Sequence, residues 1–497
     1  MSFITNFPLF TIVLSLFSGV LCTMLSGNTA RRYTVIYECV LIVLVSCVLG
    51  YTIRTGAAFT YVMGEFPAPW GNEIRAGILE ALLALLFLVV MLCSVLGGAR
   101  FIDIDIDESK KNLYYTLINL MTAAIMAILW TNDIFTGYVF LEILTLTSCG
   151  VLIVREIGRT TLAAIRYMIM NLLGSGLFLL GVVLLYDITG HLLMVPMKQS
   201  VIRLTENPAN LVSVSMALGI LTIGLSIKSG LFPFHFWMPD TYGYATPTSG
   251  SVLSSLVSKC YILLLLKIYF RVIGVELLEM LPIPDILLVL GMCGIVFGSL
   301  SALHANNINR MIAFSSAAQI GYIFMGIGLG GQAGYTAAVF HIMAHSVTKS
   351  LLFLTTPRLA EQSDNSLLFR NLQGSGLRDP STGFFFGAAG LSMIGIPIFA
   401  GFSSKLLFAT AAVYCGSPVK MILVMVVLAI SSLLNALYFI RTLIRIFSEG
   451  KKRPEGTVKH GALYGISMST LIAVNLAMGL FSWMFTGLIQ AGLGMFG

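Results

Sequence analysis

The sequence predicts an all-α polytopic membrane protein with about 14 transmembrane helices, and three observations lead to this fold class. First, 57% of the 497 residues are apolar and only 10% are charged, which excludes a water-soluble globule, a disordered chain and an enzyme held by a single anchor. Second, about 14 spans of about 20 residues would use about 280 apolar residues, close to the content of this chain. Third, the apolar residues form separate runs that are bounded by charges, prolines or glycines.

We place one span on each apolar run, with an error of a few residues at each end. The predicted spans lie near residues 8–26, 35–51, 77–97, 113–130, 134–154, 162–186, 211–232, 248–270, 285–303, 311–329, 334–356, 383–413, 418–445 and 463–486. We expect a single membrane domain over residues 1–497. Its predicted parts are the first three helices (1–112), two repeats of five helices (113–270 and 285–447), and a final loop and helix (448–497).

The distribution of basic residues supports this order of spans, since Lys and Arg gather in cytoplasmic loops. The odd-numbered loops carry 16 of them: Arg31, Arg32, Arg100, Lys110, Lys111, Arg155, Arg159, Arg310, Arg358, Arg370, Arg378, Arg445, Lys451, Lys452, Arg453 and Lys459. The even-numbered loops carry six: Arg54, Arg75, Lys198, Arg203, Arg271 and Lys420. This bias predicts an even number of spans, both termini outside and the odd loops in the cytoplasm. Because the net charge of +7 is spread over many short loops, it offers no basic face for nucleic acid.

The other basic residues lie inside predicted spans, where an unpaired charge costs about 3 kcal/mol or more. They are Arg166, Lys228, Lys259, Lys267, Lys349, Lys405 and Arg441. Such residues are functional candidates, and several together indicate a polar path through the membrane. We interpret Lys267 and Arg441 as snorkelling side chains, whose charges reach the membrane surface.

A broken helix is predicted directly after Lys228, in the segment GLSIKSGLFPFHFWMPDTYGYATPTSG. Pro233, Pro239 and Pro247 lie close together there, with His235 between the first two, and proline kinks or breaks a helix. Broken helices at membrane depth mark ion sites in transporters. We therefore interpret Lys228 as a proton-binding lysine. The alternative is that it snorkels from a helix end.

Two further charges accompany this break. Lys259 lies in the next predicted span. Glu142 lies well inside the fifth span, in VFLEILTLTSCG, with no basic residue three or four positions later. The partner of Glu142 must therefore come from elsewhere, and Lys228 or a loop cation would complete the carboxylate and cation pair that a proton relay needs. A purely structural ion pair is the alternative.

A second break is predicted in the twelfth span. Gly395, Pro397 and Gly401 interrupt AAGLSMIGIPIFAGFSSKLLF ahead of Lys405. Two broken, lysine-bearing helices in two halves of a chain are typical of an inverted repeat. Helices 4 to 8 and 9 to 13 would be the two units. Because five is an odd number, the second unit must begin on the opposite side of the membrane.

Histidines lie between the two breaks. His341, His345 and Lys349 are spaced by four residues and so share one helix face, and His304 precedes them. Imidazole passes protons easily near neutral pH, so we predict that these residues take part in a proton path. The spacing H-x-x-x-H also suits zinc, but a third ligand and an adjacent catalytic Glu are missing, so we predict no metal. A structural role for any one histidine is the alternative.

The remaining intramembrane charges form a second tier of candidates for the proton path, together with His235, His304 and Lys349. Glu38 and Glu80 are the other carboxylates at membrane depth; Glu80 lies near a span end, where an interfacial role and a relay role are both open. Arg166 could pair with a carboxylate of the same bundle or anchor its helix at the cytoplasmic surface. The eight cysteines contain no C-x-x-C pair, and no G-x-G-x-x-G follows a strand, so we predict no bound cofactor or iron–sulfur cluster.

With these segments in place, the chain resembles the proton-translocating antiporter-like subunits shared by respiratory complex I, Mrp-type cation/proton antiporters and membrane-bound hydrogenases. The resemblance covers nearly the whole chain. It rests on the stretch 228–247 and on VFLE, NINRMIAFSSAAQIGY, HIMAHSVTKSLLFL and GIPIFAGFSSK. The segment APWGNEIRAGILEALLALLF (68–87) is similar to the start of the third helix in the D subunit of Mrp antiporters and in its hydrogenase counterpart, which favours these branches over complex I.

The resemblance implies roles for individual residues. It implies that Glu142 pairs with Lys228 in one half-channel, and that Lys259 and the histidines of helix 11 relay protons along a hydrated axis. It also implies that Lys405 gates the exit from the second half.

The sequence departs from the family pattern at three places. Glu80 stands where relatives usually have Asp, and Arg166 stands where they usually have Lys, so both keep the sign of the charge. Asn307 and Asn309 replace the charges usual before MIAFSS, which changes the electrostatics of that cytoplasmic loop.

We therefore expect an ion-translocating subunit of a multisubunit complex in the prokaryotic plasma membrane. It would move protons, with sodium coupling left open, and would have no redox or hydrolytic site of its own. The expected partners are other membrane subunits, including further antiporter-like subunits, with a peripheral redox arm as an open alternative. Two other functions are a stand-alone secondary cation transporter and a scaffold that docks a redox enzyme without moving ions. The intramembrane charges argue against the scaffold, because they are costly to bury.

Overall fold

The structure is a computed structural model that describes residues 3–66, 71–449 and 461–497. The described residues are nearly all helical, which confirms the predicted all-α class. A two-stranded antiparallel sheet of β1 (Phe59–Val62) and β2 (Glu73–Ala76) was not predicted from the sequence. Four basic residues of the last predicted cytoplasmic loop lie outside the described residues: Lys451, Lys452, Arg453 and Lys459.

Six long helices form the first part of the chain, because its apolar runs are long enough to cross a bilayer. They are α1 (Phe7–Thr23), α2 (Gly27–Thr55), α3 (Ile78–Asp105), α4 (Lys111–Trp130), α5 (Ile134–Ile153) and α6 (Gly158–Thr189). Each overlaps one predicted span. A further helix, α7 (Met194–Thr205), was not predicted; its 12 residues are too few to cross a bilayer.

The first predicted break is present. Helix α8 (Pro208–Ser229) ends one residue after Lys228, and Gly230 has a φ of +78°, which favours glycine. A 3₁₀ turn (Phe234–Trp237) then leads to α9 (Met238–Tyr244). The chain therefore changes direction at the lysine, as the prolines predict.

The next helical stretch, predicted as one uninterrupted span, contains two π-helical turns. It consists of α10 (Pro247–Val252), the first π turn (Leu253–Val257), α11 (Ser258–Ile268) and the second π turn (Tyr269–Ile273). A short helix, α12 (Val275–Met280), follows. Single π turns within helices occur often at functional sites, and the first of these turns directly precedes Lys259.

The second half contains the other predicted break. Its elements are α13 (Ile283–His304), α14 (Ile308–Leu329), α15 (Gly331–Glu361), α16 (Ser375–Arg378), α17 (Pro380–Ile394), α18 (Ala400–Tyr414) and α19 (Pro418–Phe447). The break separates α17 from α18 and begins at Gly395, whose φ is +92°.

The C-terminal part differs from one prediction. The span predicted near 463–486 is two helices, α20 (Ala462–Leu480) and α21 (Ser482–Gly494). Phe481 lies between them with non-helical dihedral angles. Helix α21 packs against α3 and α15, so the chain turns back toward the bundle instead of continuing straight.

Twelve helices among the described residues are long and apolar enough to cross a membrane. The predicted spans near 248–270 and 383–413 correspond to the two segmented stretches, at 247–273 and 380–414. The multi-pass helical fold is therefore confirmed, while the count of 14 stays a prediction.

Helices α14 and α15 lie at the centre of the bundle. Their most apolar segments are 94% and 100% buried, whereas those of α2 and α19 are only 33% buried. A helix that is surrounded on all sides belongs to the interior of a large bundle. Polar side chains on α15 are therefore enclosed by protein and not by lipid.

Candidate proton path

An ion pair joins two helices beside the first break. The Nζ atom of Lys228, in the last turn of α8, lies 3.3 Å from Oε1 of Glu142 on α5. The same Nζ donates to Oγ1 of Thr145 at 2.8 Å, and the hydroxyl of Ser175 on α6 donates to Glu142. Of the two partners that the sequence left open for Glu142, the geometry selects Lys228 and not a loop cation.

Close packing surrounds the lysine of this pair. Lys228 is fully buried, whereas 25% of the Glu142 side chain is exposed. Gly174 of α6 leaves room for the stem, because a Cβ atom at this position would lie 2.8 Å from Cγ of Lys228. The ring of Tyr261 lies 5.4 Å from Nζ and adds a cation–π contact.

Lys259, at the start of α11, is held by the π turn before it. Its Nζ donates to the carbonyl of Ser254, inside that turn, and lies 3.3 Å from the hydroxyl of Ser258. The side chain is fully buried. Among the described residues, no carboxylate lies within 4.0 Å of this ammonium, so neutral oxygens alone solvate it.

Lys349 on α15 has a similar environment. Its Nζ donates to the carbonyl of Ile312 at 2.9 Å and to the hydroxyl of Ser315, both on α14. It is also fully buried, and the described part of the chain places no carboxylate within 4.0 Å of it. Two buried amines without ion pairs therefore lie in the centre of the bundle.

The two histidines of α15 lie beside a small cavity. Nδ1 of His341 is 2.7 Å from the hydroxyl of Ser404, and its ring stacks on Tyr322 and on His345, with centroid distances of 5.3 Å and 5.9 Å. Nε2 of His341 and both ring nitrogens of His345 have no partner among the described residues. The cavity, also lined by Gln319, has room for about one water molecule, which could bridge these nitrogens.

Lys405 lies across the same cavity, on α18. Its Nζ donates to the carbonyl of Ile394 at 2.6 Å and to the hydroxyl of Ser432 on α19 at 3.0 Å. A Cβ atom at Gly395 would lie 3.0 Å from Cδ of Lys405. The second break thus supplies both the carbonyl that accepts from the lysine and the space for its side chain.

Serine hydroxyls fill the space around the central lysines. Ser94 of α3, Ser251 of α10 and Ser350 of α15 form a triangle with Oγ–Oγ distances of 2.8 to 3.1 Å. One helical turn further, the hydroxyls of Ser254 and Ser316 are 2.9 Å apart. A hydroxyl both donates and accepts, so these groups can orient water or pass protons between the helices. They were not predicted from the sequence, because serine in an apolar helix is not a distinctive signal.

Three predicted residues lie away from this cluster. His304 is exposed at the end of α13, where its Nδ1 bonds to the carbonyl of Leu300; its place in the path stays a prediction. Arg166 pairs with Asp240 at 2.5 Å and is 53% exposed, so it combines the two roles that the sequence left open at the surface. His235 is half-buried in the first break and stacks on Phe232 at 5.7 Å.

Two cations of the long segmented helix were misinterpreted. Arg271, assigned to a loop, is 1% exposed and pairs with Glu80 of α3. Lys267, interpreted as snorkelling, is also 1% exposed, and it donates to the carbonyls of Ile128, Leu129 and Thr131 at the end of α4. The last carbonyls of a helix carry its negative dipole end, so this lysine caps α4 from the side.

Arg271 has further partners beyond Glu80. Arg271 donates to Oδ1 of Asn132 at 3.2 Å and to the carbonyl of Phe496 at 2.8 Å. Glu80 therefore belongs to a buried network that fastens the C-terminal residues to α3, away from the histidine cavity.

Glu38 of α2 is fully buried and accepts from Thr122 of α4 at 2.9 Å. Its Oε2 has no partner among the described residues. It lies between α2 and α4, and the described residues show no ion pair between Glu38 and a lysine of the path. No group of three or more His, Cys, Asp or Glu side chains in the described ranges could hold a metal ion.

Comparison with known proteins identifies relatives that span the chain. The family model "NADH:quinone oxidoreductase/Mrp antiporter, TM" matches residues 131–432. The N subunit of the NADH-quinone oxidoreductase of Desulforudis audaxviator is 29% identical over 90% of this chain and 88% of its own length. The D subunit of the Na(+)/H(+) antiporter of Bacillus subtilis is 24% identical over 95% of this chain and 94% of its own.

A solved structure has the same fold. A chain of the membrane-bound sulfane sulfur reductase, an archaeal respiratory membrane complex, superposes with a TM-score of 0.86. It is 25% identical, and the match covers 99% of this chain and 96% of that one. Relatives of both the Mrp and the quinone oxidoreductase type match over most of their length, and the preference for the Mrp and hydrogenase branches over complex I stays a prediction.

Proposed function

The chain belongs to the NADH:quinone oxidoreductase/Mrp antiporter transmembrane family, and we propose that it is the antiporter-like subunit of a multisubunit membrane complex that moves protons. Its relatives are named as subunits of such complexes. Its partners are accordingly other membrane subunits. A stand-alone cation transporter is not favoured, because the names of these relatives describe parts of assemblies.

The observation that carries this proposal is the group of amines without ion pairs inside the bundle. Lys259, Lys349 and Lys405 each donate to carbonyl and hydroxyl oxygens, and no carboxylate lies within 4.0 Å of them among the described residues. A charge at this depth is costly unless it serves a purpose. A scaffold would gain nothing from three such groups, whereas a proton path needs sites that are charged or neutral according to their neighbours.

The path begins at the ion pair between Glu142 and Lys228. When the pair opens, the ammonium loses the only carboxylate that the described residues place beside it, and it passes a proton inward. Thr145 accepts from Lys228, and its hydroxyl lies 3.4 Å from the hydroxyl of Tyr261 on α11, the helix of Lys259. Water between these hydroxyls would complete the transfer to Lys259.

The path continues through the histidine cavity to the second break. The unpartnered ring nitrogens of His345 and His341 line the same cavity as Lys405. One water molecule there would link imidazole to ammonium. Release from Lys405 would follow the break beside Gly395, where the carbonyl of Ile394 and the hydroxyl of Ser432 hold the proton donor.

The chemistry of the path indicates its ion. Amine and imidazole nitrogens bind protons, whereas hard cations such as sodium need several oxygen ligands. We therefore assign proton transfer to this chain. If the complex exchanges sodium, the sodium site lies in a neighbouring subunit.

We also propose the orientation and the repeat organisation that the sequence predicts. Both termini would face outside, since the odd loops carry most of the basic residues. Residues 113–270 and 285–447 would form two inverted repeats, each with one broken helix and one lysine beside the break. The protein is a multi-pass membrane protein whose relatives belong to bacterial and archaeal membrane complexes.

The proposal is tested by purifying the complex through a tag on this chain. Mass spectrometry should identify several membrane subunits, and the complex in proteoliposomes should take up protons when a membrane potential is imposed. Lys228→Ala should abolish this uptake without preventing assembly. Lys420→Ala is the matched control, because Lys420 forms a surface ion pair with Asp285 at 2.5 Å. Transport by the purified chain alone, or normal uptake by Lys228→Ala, would contradict the proposal.

A further inference from the structure

The outer face of α19 carries an apolar groove that ends in two arginines. Leu433, Leu437, Ile440 and Ile444 line it, with exposed fractions of 44% to 65%. The groove has a volume of about 680 Å³, and Arg441 and Arg445 lie at its end. The α19 residues are spaced by three or four positions, so they share one helix face.

The two guanidinium groups are not engaged by the described protein. Neither side chain has a hydrogen bond or an ion pair there, unlike Arg378 in the same region, which donates to the carbonyls of Gln362 and Gln373 at 2.8 Å and 3.1 Å. Arg441 and Arg445 are four residues apart and lie on the same side of α19. Each guanidinium group is planar and carries several N–H donors, so the two together can bind an anionic group of a ligand in the groove.

The length of α19 places these arginines at the membrane surface. Lys420, near the start of α19, is partly exposed and pairs with Asp285. This exposed ion pair is consistent with a position at the opposite membrane surface. From Lys420 to Arg441 the helix rises about 32 Å at about 1.5 Å per residue, close to the thickness of about 30 Å of the hydrocarbon layer. The groove therefore runs along the acyl region, and the arginines lie at the depth of the lipid headgroups.

Two neighbouring side chains complete the polar end. The amide nitrogen of Gln373 donates to the carbonyl of Glu449 at 2.9 Å. The hydroxyl of Ser448 donates to the carbonyl of Arg445 at 3.0 Å. Neither is an anion, so the positive charge at this end of the groove is open to a ligand from outside the chain.

We propose that this groove binds an anionic phospholipid. The headgroup phosphate accepts from Arg441 and Arg445, and an acyl chain lies along Leu437 and Ile444. The donors of a guanidinium group are spaced to bind two oxygens of one phosphate. Basic sites beside the membrane surface bind anionic lipid headgroups. A transmembrane helix of a partner subunit fits this site less well, because an apolar helix would bury both arginines without supplying an anion to pair with them.

The test measures phospholipid retained by the purified complex after washing in detergent. The complex is first incorporated into nanodiscs of equal parts phosphatidylglycerol and phosphatidylcholine, and the retained lipids are counted by mass spectrometry. We expect phosphatidylglycerol to be retained in preference. Retention should fall about five-fold in Arg441→Ala or Arg445→Ala and about 30-fold in the double variant. Arg441→Lys should lose less than Arg441→Ala, because it keeps the charge.

Arg370→Ala is the matched control. Arg370 is exposed on the loop before α16, has no side-chain partner among the described residues and does not line the groove on α19. It should retain lipid as the unmodified complex does. Equal retention in the double variant, or displacement of the lipid by inorganic phosphate, would overturn the proposal. A photoreactive residue placed at position 437 would also overturn the proposal if, in the assembled complex, it labelled a partner subunit and no lipid.

Discussion

Glu142→Gln is the change that most sharply perturbs the start of the path. It keeps the size of the side chain and its bond from Ser175, and it removes the only carboxylate within 4.0 Å of Lys228 among the described residues. At a separation of 3.3 Å, the attraction between the two charges is about 5 kcal/mol for an effective dielectric constant of about 20. Lys228 is fully buried, and its contacts to Thr145 and to the ring of Tyr261 involve neutral groups.

Part of the attraction is screened, because a quarter of the Glu142 side chain is exposed. Even half of the energy, about 2.5 kcal/mol, changes an equilibrium by about 60-fold. The switch that opens and closes the pair would therefore be lost, and we expect proton transport to fall at least ten-fold. Assembly should be unaffected, since the amide still fills the site.

The assay is proton uptake into proteoliposomes that hold the assembled complex and an internal pH-sensitive dye. A potassium diffusion potential drives the uptake, and rates are normalised to the amount of assembled complex on a native gel. Glu206→Gln, the same substitution on an exposed carboxylate at the end of α7, should transport at the unmodified rate. A normal rate for Glu142→Gln, with normal assembly, would refute the reasoning.

Three further changes test other parts of the account. Lys405→Ala should block uptake in the same assay, because it removes the amine across the histidine cavity, and a normal rate would exclude Lys405 from the path. Lys267→Met should lower the melting temperature of the complex, because three carbonyls at the end of α4 lose their hydrogen-bond donor. Each unsatisfied buried carbonyl costs at most about 3 kcal/mol. An unchanged melting temperature would contradict the capping role. Glu80→Gln should lower the free energy of unfolding by about 3–5 kcal/mol, because Arg271 then remains buried without its ion-pair partner. Unfolding curves of Glu80→Gln and of the double variant with Arg271→Gln check this, and the double variant should recover part of the loss.

The sequence could predict the helices, the breaks and the charges because each is a local property. A run of about 20 apolar residues must form its hydrogen bonds within itself in lipid, so its position predicts a helix. Prolines after Lys228 and glycines before Lys405 remove or loosen helical hydrogen bonds at those points. An isolated Glu142 inside an apolar run must find a cation from another helix, and Lys228 is the one that the fold supplies.

Features that depend on packing between distant segments could not be predicted. Lys267 and Arg271 are buried because the end of α4 and residues near the C-terminus cover them, more than 100 residues away in sequence. The π turn before Lys259 has no composition that distinguishes it from an α-helical turn. His304 lies between the breaks in sequence and at an exposed helix end in space, and its place in the path stays a prediction.

The most direct test of the central claim compares two buried lysines on one helix. Lys259 and Lys267 both lie on α11, are each at most 1% exposed and have no carboxylate within 4.0 Å among the described residues. In this account only Lys259 carries protons, while Lys267 caps α4. Potential-driven proton uptake per assembled complex should be lost in Lys259→Met and retained in Lys267→Met. Retained uptake in Lys259→Met, or equal loss in both variants, would contradict a proton path through the amines inside the bundle.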